Sequence, residues 1–424
     1  MRVMPAGDNA RLIELGEVSA KELHRTARAY DGIAHIVGHS SIYVFPEIRL
    51  DTTRDRVTPT HREIRVCFDG IDLPELLARV PREEFFARIP TLKLTARYLG
   101  FRGGFAYLDG WPEEWSMPRR PTSRARVARG TFAIGGAVAG FYSIDTPGGW
   151  NQLGHTDEDL EHALTPGDTI TLKVVDELPF PSPRKRGEGR GEGPFLKRIT
   201  PPDYANLARG LPPGGPFDAI AARLATKALE RCEILYECAM RAPRLTFDQP
   251  KTVAWCTPDL HVNVYRLEAG EPLNLGRITG GLRAYLAVGN GEGTTAHFER
   301  KERNIIHAMP GPHDLGIRDI ECEVTPQLDR VGIRLRPLHP IDAHIPADLR
   351  SIGMQFGTVQ LHPDGTLVAM GPDHPVTGGY LQPMTVITSE RWKLGQLVPG
   401  ERVSFRTDIP TARRRETPDS SPTR

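Results

Sequence analysis

Short apolar runs separated by glycine-bearing turns dominate two long stretches of the chain. The first begins near Leu92, where apolar and polar residues alternate, and continues to about Leu178. The second extends from Pro243 to about Phe405. Strand-like runs joined by turns, without intervening helices, are typical of antiparallel barrels or sandwiches and not of alternating strand–helix units. The pattern therefore predicts a mainly β fold.

Helical periodicity is confined to a few segments. Residues 19–30 repeat apolar positions at helical spacing after Ser19, a suitable N-cap, and Asp218 caps a stretch rich in alanine and leucine. The predicted helices cover residues 19–30, 73–80, 82–89 and 218–239. Because strand-like runs flank the first helix, we predict a small N-terminal α+β domain.

The β-rich stretches and the segments around them predict five regions. These are an N-terminal α+β domain (1–85), a β-barrel (86–180), a flexible linker (181–198), a second β-barrel domain (199–406) and a disordered tail (407–424). The linker and tail contain almost nothing that could be buried. The linker glycines have a GxGxG spacing, but no strand precedes them and no helix follows, so the spacing does not indicate a phosphate-binding loop.

Three segments of the first β-rich stretch are echoed in the second, in the same order and at similar separations. The pairs are 130–134 with 357–361, 147–152 with 377–382, and 164–172 with 397–405. Because one such match is ordinary turn chemistry but three in register are not, we predict two barrels of the same kind, one on each side of the linker.

Each barrel is predicted to present a loop of two glycines followed by an aromatic residue. The two loops are Gly148-Gly149-Trp150 and Gly378-Gly379-Tyr380. Glycines let a substrate approach backbone N–H donors, and the ring offers a stacking surface, so the loops suit a ligand site. The alternative is a pair of tight turns, each held by a buried aromatic residue.

The second loop follows a group of residues suited to proton transfer. Asp373, His374 and Thr377 place a carboxylate, an imidazole and a hydroxyl within a few residues of the two glycines. This segment is the best single candidate for chemistry. The alternative is a polar loop in which Asp373 caps a turn.

Charged residues supply two further candidates. Asp329 and Arg330 precede an alternating strand and are predicted to form an ion pair at its mouth, or an exposed pair of little consequence. Arg119, Arg120 and Arg124 form a basic cluster that suits bidentate binding of carboxylate or phosphate oxygens. A solvated loop is the alternative for the cluster.

Composition argues against several functional classes. The formal net charge of +1 gives no overall field toward nucleic acid or an anionic membrane surface. The five cysteines are scattered without a Cys-x-x-Cys pair, which predicts reduced thiols in the cytoplasm. No leader-like start or long apolar run is present, so we expect a cytoplasmic protein without a membrane partner.

Motifs for metal ions and attached cofactors are missing from the sequence. His155 begins an acidic segment that ends at His162, but Thr156 followed three residues later by an acid is typical of a capped helix start, so no metal site is predicted. No Walker-type, zinc-protease or nucleophile-elbow motif occurs. No Met-Lys-Met segment occurs either, so no covalently attached biotin is expected.

Several of these segments resemble the B subunit of bacterial ATP-dependent 5-oxoprolinase, in a family that includes the Kip kinase inhibitor and allophanate hydrolase subunit-like proteins. The resembling segments are 5–10, 67–70, 100–108, 118–120, 147–150 and 154–156. Segments of the second half resemble the C subunit of the same enzyme, namely 212–218, 283–288, 329–335, 357–360 and 373–380. The chain is therefore similar to a fusion of the B and C subunits within the carboxyltransferase-domain family.

The resemblance implies two cyclophilin-like β-barrels, related to the carboxyltransferase part of urea carboxylase. It also implies hydrolysis of the lactam of 5-oxoproline to glutamate, with ATP and Mg²⁺ as cofactor and a protein like the A subunit of 5-oxoprolinase as partner. Phosphorylation of the lactam oxygen would create the leaving group that an unactivated lactam lacks. The alternatives are a non-catalytic regulatory protein, as the kinase-inhibitor relatives suggest, and a carboxyltransferase that uses biotin on a partner chain.

This interpretation assigns roles to named residues and leaves the ATP site unassigned. The predicted catalytic residues are Asp329, Asp373, Thr377 and Tyr380. The predicted substrate-binding residues are Phe105, Tyr107, Arg119, Arg124, Gly148, Gly149, Trp150, Arg330, Gln360, Gly378 and Gly379.

Overall fold

The computed structural model describes residues 1–51, 58–100, 104–120, 122, 124–160, 163–179, 196–300, 302–346 and 349–407. Most of its regular elements are strands, so the predicted mainly β fold is confirmed. Residues 181–195 of the predicted linker and 408–424 of the predicted tail lie outside the described residues. Within the ranges just given, no helix is long and apolar enough to cross a membrane.

The N-terminal unit is a four-stranded antiparallel sheet with one helix beside it. Its elements are β1 (Arg2–Pro5), β2 (Arg11–Glu14), α1 (Ala20–Ala27), β3 (Ile33–Val37) and β4 (Ser41–Arg49), with sheet order β1-β2-β4-β3. Helix α1 begins as predicted, because the side chains of Ser19 and Glu22 each accept the other residue's backbone N–H. Leu23 and Ala27 form its buried face.

Residues 61–174 form a seven-stranded sheet, here called the first barrel. Its elements are β5 (His61–Val66), α2 (Leu73–Leu77), α3 (Arg82–Arg88), β6 (Leu94–Leu99), β7 (Ala106–Asp109), β8 (Arg124–Val127), β9 (Thr131–Gly135), β10 (Val138–Phe141), β11 (Thr146–Gly148), β12 (Asn151–His155) and β13 (Thr169–Val174). The order is β12-β9-β10-β7-β6-β13-β5, with β8 and β11 forming a separate ribbon. A bridge between Cys67 and His155 brings the two sheet edges together, so the barrel is nearly closed.

The predicted boundary at residue 85 differs from the structure. Strand β5 pairs in parallel with β13, and α2 and α3 contribute Leu76 and Phe85 to the core of the first barrel. The N-terminal unit therefore ends before His61. The strand that sets this boundary finds its partner about a hundred residues later, which no local pattern shows.

Residues 196–297 form a six-stranded sheet. Its elements are β14 (Leu196–Ile199), α4 (Ala219–Lys227), β15 (Leu229–Ala239), β16 (Arg244–Leu245), β17 (Lys251–Cys256), β18 (His261–Leu267), β19 (Leu273–Asn274), β20 (Arg283–Gly293) and β21 (Ala296–His297). The order is β14-β15-β20-β17-β18-β21, with β16 and β19 forming a ribbon. Strand β14 includes residues 196–198, which the sequence pattern predicts as the end of the linker.

The helix predicted over residues 218–239 is only partly correct. Asp218 does cap a helix, since its side chain accepts the N–H of Ala221, but that helix ends at Lys227. The remainder is β15, which pairs with β20 from Leu229 to Ala239. The pairing of these two long strands outweighs the local preference of the segment for helix.

Residues 305–406 form a closed seven-stranded barrel, here called the second barrel. Its elements are β22 (Ile305–Pro310), β23 (Asp319–Leu328), β24 (Gly332–Pro337), β25 (Ile352–Gly353), β26 (Thr358–Leu361), β27 (Leu367–Met370), β28 (Thr377–Gly378), β29 (Leu381–Val386), α5 (Arg391–Gln396) and β30 (Arg402–Arg406). Strands β25 and β28 form a ribbon outside the barrel. The predicted single barrel domain of residues 199–406 is thus a sheet followed by a barrel.

The two barrels have the same strand order, as the internal repeat predicts. The first reads β12-β9-β10-β7-β6-β13-β5, and the second reads β29-β26-β27-β24-β23-β30-β22. In each, the last pair is parallel and the other neighbours are antiparallel. The prediction of two barrels of one kind is confirmed, and both are consistent with a cyclophilin-like fold.

Candidate functional site

A cavity of about 780 Å³ lies between the two barrels, and both Gly-Gly-aromatic loops line it. Two hydrogen bonds fix the second barrel against the first half of the chain beside this cavity. Thr377 Oγ1 donates to the carbonyl of Leu99 over 3.2 Å, and the N–H of His39 donates to the carbonyl of Ser351 over 2.9 Å. The repeat thus places its two loops on opposite sides of one shared cavity.

The first barrel contributes an aromatic wall. Phe105 contacts Tyr142 and Trp150 edge to face, with ring centroids 5.3 and 5.4 Å apart, and Tyr107 contacts Trp150 at 5.6 Å. Tyr98 stacks on Tyr107 at 4.3 Å from behind. Trp150 is only 6% exposed and also lines the cavity. Its loop is therefore consistent with both alternatives, a turn held by a buried aromatic residue and a loop that faces a ligand. Interlocked rings of this kind form a rigid apolar surface.

The phenols of the wall remain proton donors at neutral pH. Burial raises the pKa of Tyr107 to about 12, although Arg119 acts in the opposite direction. Burial raises the pKa of Tyr98 as well, and the hydroxyl of Ser351 interacts with both phenols. A protonated phenol at an apolar wall can donate a hydrogen bond to a ligand carbonyl.

Arg119 is the cation of the basic cluster that remains available to a ligand. Its guanidinium lies 5.7 Å from the centroid of the Trp150 ring, and the side chain is exposed. Over the described ranges, no carboxylate lies within ion-pair distance of it. Arg120 and Arg124, by contrast, both bind the buried carboxylate of Asp72, at 3.0 and 2.7 Å.

The second barrel contributes a polar wall. Gln360 is 3% exposed, and its Nε2 lies 3.6 Å from the sulfur of Met354. A Cβ at Gly378 would lie 2.6 Å from Gln360 Nε2 and would also overlap Met354, so the glycine is required for this packing. The close packing at Gly378 supports the turn alternative for part of the loop, while Gly379 and Tyr380 remain open to the cavity.

His362 lines the cavity and was missed by the sequence analysis. Its imidazole stacks on Tyr380 with centroids 4.1 Å apart, and within the described ranges its buried Nε2 has no hydrogen-bond partner. A signal for it existed. His362 is the residue after repeat segment 357–361, and the residue after the matching segment 130–134 is Gly135. Each of the two contacts the aromatic residue of its own barrel's loop, since Gly135 lies against Trp150 and His362 against Tyr380. Extending the repeat by one residue identifies the position.

We expect His362 to be a neutral imidazole at physiological pH. Burial, helped by the nearby Arg334, lowers its pKa to about 4. Histidine ring signals followed by NMR from pH 8 to pH 3 should show His362 titrating near pH 4. A His362 midpoint above about pH 6, near the unperturbed value, would contradict the environment described here.

Asp329 lies at the edge of the cavity, whereas the side chains of Arg330 and Asp373, which were also predicted as site residues, lie outside it. Asp329 Oδ1 accepts the N–H groups of Val331 and Gly332, so the carboxylate holds a turn. Arg330 and Asp373 do not line the cavity; they bind each other at 2.9 Å. Arg330 also binds Glu237, at 2.8 Å, which places the pair in a buried ion network.

Twelve of the fifteen predicted site residues line the cavity. They are Phe105, Tyr107, Arg119, Gly148, Gly149, Trp150, Asp329, Gln360, Thr377, Gly378, Gly379 and Tyr380. Arg124, Arg330 and Asp373 do not, because carboxylates or guanidinium groups inside the protein already bind them. Tyr142, Ser351, Met354 and His362 line it without having been predicted. Their roles in binding or chemistry stay predictions.

Known proteins resemble both halves of the chain. Residues 47–163 match the model of the carboxyltransferase domain, subdomains C and D, and residues 209–313 and 294–407 match that of subdomains A and B. The B subunit of 5-oxoprolinase from Haemophilus influenzae is 46% identical over 87 residues, 19% of this chain and 41% of that protein. A putative urea carboxylase of Emericella nidulans is 23% identical over 287 residues, 48% of this chain and 23% of that protein. The chain spans less than half the length of either relative.

A solved structure shares the whole architecture. The crystal structure of TTHA0988 superposes with a TM-score of 0.77 at 24% identity, over 94% of this chain and 99% of that one. At this identity the likeness shows a common fold. The two domain matches follow one another along the sequence, and they show that the chain belongs to the carboxyltransferase-domain family and joins a subdomain C and D module to a subdomain A and B module.

Proposed function

We propose that this chain binds 5-oxoproline between its two barrels, as the substrate-binding component of an ATP-dependent 5-oxoprolinase. The observation that carries the proposal is the position of Arg119, an exposed cation beside an aromatic wall in a cavity that both repeats build. The relative named as the B subunit of 5-oxoprolinase supports it. The order of the two modules fits a fusion of a B-type half with a C-type half of that enzyme.

The chemical groups of 5-oxoproline match those of the cavity. The ligand has a carboxylate, an apolar ring edge and a lactam with one donor and one acceptor. A guanidinium binds a carboxylate through paired hydrogen bonds, so Arg119 suits the first group. The wall of Phe105 and Trp150 suits the ring edge, and the phenol of Tyr107 and the amide of Gln360 suit the lactam.

We assign the magnesium-bound triphosphate of ATP to groups outside the lining of this cavity. A magnesium-bound triphosphate needs several cations or backbone N–H groups, together with oxygen ligands for the metal. Among the lining residues that the structure describes, Asp329 is the sole carboxylate, and it already holds a turn. Arg120 and Arg334 are held by Asp72 and Asp364. The proposal therefore assigns the lactam to this cavity and the groups that hold MgATP to the A-type partner, which must bring the γ-phosphate to the lactam oxygen in the assembled enzyme.

ATP hydrolysis that depends on 5-oxoproline tests the proposal. The full chain, an A-type 5-oxoprolinase protein and their mixture would each be incubated with ATP, Mg²⁺ and 5-oxoproline, with release of phosphate and glutamate as readouts. We expect turnover only in the mixture. Titration calorimetry of the chain alone should show binding of 5-oxoproline and none of 2-pyrrolidinone, which lacks the carboxylate. A folded mixture that neither binds 5-oxoproline nor turns it over would overturn the assignment.

A second candidate is transfer of a carboxyl group from biotin carried by a partner chain. The observation that favours it is the family itself, together with the putative urea carboxylase that resembles nearly half of this chain. Capture of a biotinylated protein from the source cell by the full chain, followed by carboxyl transfer in vitro, would select this function. Turnover of 5-oxoproline without biotin would select the first.

A further inference from the structure

Three side chains suited to bind a metal ion meet where the first barrel closes, outside the cavity between the barrels. Cys67 and His155 face each other across the closing bridge and exchange two backbone hydrogen bonds of 2.9 Å. Opposed residues of an antiparallel pair point to the same side of a sheet, so the thiol and the imidazole are neighbours. Asp69 comes two residues after Cys67 in the sequence. The ligand atoms of the three residues lie within 4.8 Å of one another.

The contacts of His155 require a positive charge between its ring and Asp69. Nε2 lies 2.9 Å from the carbonyl oxygen of Leu178, which only accepts, so Nε2 carries a hydrogen. Nδ1 lies 2.9 Å from a carboxylate oxygen of Asp69. In a neutral imidazole protonated at Nε2, Nδ1 is an acceptor as well. Because two acceptors repel each other at this distance, either a proton or a metal ion lies between them.

The surroundings favour the metal ion. A hydrogen bond from the second ring nitrogen to a backbone carbonyl, as from His155 to Leu178, is how proteins orient metal-binding histidines. His155 and Cys67 are buried, whereas the Asp69 side chain is 48% exposed. Asp69 also lines an open cleft of about 470 Å³ together with Arg82. An ion can therefore reach the ligands from solvent and keep one coordination position for water or a small anion.

We propose that Cys67, Asp69 and His155 form a site for a divalent transition metal ion, with Zn²⁺ as the favoured ion. Thiolate sulfur, imidazole nitrogen and carboxylate oxygen are the donors that Zn²⁺ takes in proteins, and three protein ligands leave its fourth position open. On binding, the metal displaces the thiol proton of Cys67 to solvent. The spacing of the ligands explains why motif reading missed the site, since Cys67 and Asp69 lie almost ninety residues before His155 in the sequence.

Titration with Co²⁺ as a probe for Zn²⁺ tests the site in the full chain under reducing conditions. We expect a thiolate-to-cobalt absorption band that saturates at one equivalent and disappears when Zn²⁺ is added. Cys67→Ser should abolish the band, and Asp69→Asn should weaken Co²⁺ binding by at least the roughly 10- to 100-fold that loss of an outer-shell partner causes, because Asp69 is a direct ligand. Cys232→Ser is the matched control, because Cys232 lies on β15, away from the site. Circular dichroism establishes that each variant is folded.

Several outcomes would overturn the site. One is the absence of a thiolate band at one equivalent, and another is a band that Cys232→Ser removes and Cys67→Ser does not. A third is an NMR measurement, with one equivalent of Zn²⁺ present, that finds both nitrogens of His155 protonated, because a proton would then occupy the gap. If Cys67→Ser does not fold, Asp69→Asn decides, since that side chain is half exposed and an unchanged affinity would exclude it as a ligand.

Discussion

Replacing Arg119 with alanine should weaken binding of 5-oxoproline about 10- to 100-fold, because one or two charge-assisted hydrogen bonds to the carboxylate disappear. The side chain is exposed and rests over the Trp150 ring without a carboxylate partner among the described residues, so its removal leaves no buried charge behind. The free energy of unfolding should therefore change by less than about 1 kcal/mol. Calorimetry of ligand binding and chemical denaturation measure the two quantities.

Two further variants separate the guanidinium from a general charge effect. Arg119→Lys keeps the charge but loses the planar, bidentate group, so we expect an affinity between those of wild type and alanine. Arg126→Ala removes an arginine from the neighbouring strand β8, where it is 63% exposed and paired with Asp145, and should bind as wild type does. Unchanged affinity in a folded Arg119→Ala protein, or equal losses in Arg119→Ala and Arg126→Ala, would remove Arg119 from the binding site.

Local patterns predict much of this fold because most barrel strands pair with near neighbours in sequence. The repeat alone predicts two barrels of one kind and places Trp150 and Tyr380 in equivalent loops, which the fold brings to one cavity. The boundary at residue 85 and the helix over residues 218–239 fail for a common reason. Strands β5 and β15 are defined by partners about a hundred and about fifty residues away, and these partners leave no trace in the local sequence.

Part of the candidate site could be predicted from the sequence, namely the residues that residue type and position in a loop are enough to identify. The glycines and aromatic residues that line the cavity could be predicted because a ligand site and a tight turn both need them, and Arg119 could be predicted because a guanidinium suits an anionic ligand. Asp373 and Arg330 have the right chemistry in the sequence, but the fold brings Glu237 beside Arg330 and Lys197 beside Asp373. Once paired inside the protein, these groups stabilise the fold. A sequence shows which groups carry charge, but not which of them are neutralised.

Replacing Glu237 with glutamine should destabilise the protein by about 3–5 kcal/mol, the cost of leaving buried cations without their partner. Glu237 is 3% exposed, and its carboxylate binds Arg330 at 2.8 Å and lies 3.2 Å from Nε of Arg283. It also accepts the Tyr285 hydroxyl and the backbone N–H of Phe217. The network joins β15 of the six-stranded sheet to the second barrel, so the loss should appear as a lower denaturation midpoint.

A matched control lies on the same strand. Glu233 is 44% exposed and binds Lys251 at 2.6 Å, so Glu233→Gln removes the same charge from the protein surface. An exposed pair contributes less than about 1 kcal/mol, and we expect a change of that size. Equal destabilisation by the two variants, or none by either, would contradict the stabilising role of the buried network.

Acid should remove the same contribution without any mutation. Burial by itself raises the pKa of Glu237, but Arg330 and Arg283, with the hydrogen bonds from Tyr285 and Phe217, outweigh burial and leave that pKa below its usual range. Burial likewise raises the pKa of Asp373, but Arg330 and Lys197 outweigh burial and leave that pKa below its usual range. Carboxylates with a lowered pKa in the folded state stabilise it above their unfolded pKa, and this contribution is lost as pH falls through the folded value. The free energy of unfolding should therefore fall below about pH 4.5. It should fall less steeply in Glu237→Gln, whereas parallel pH profiles would show that Glu237 does not titrate with folding.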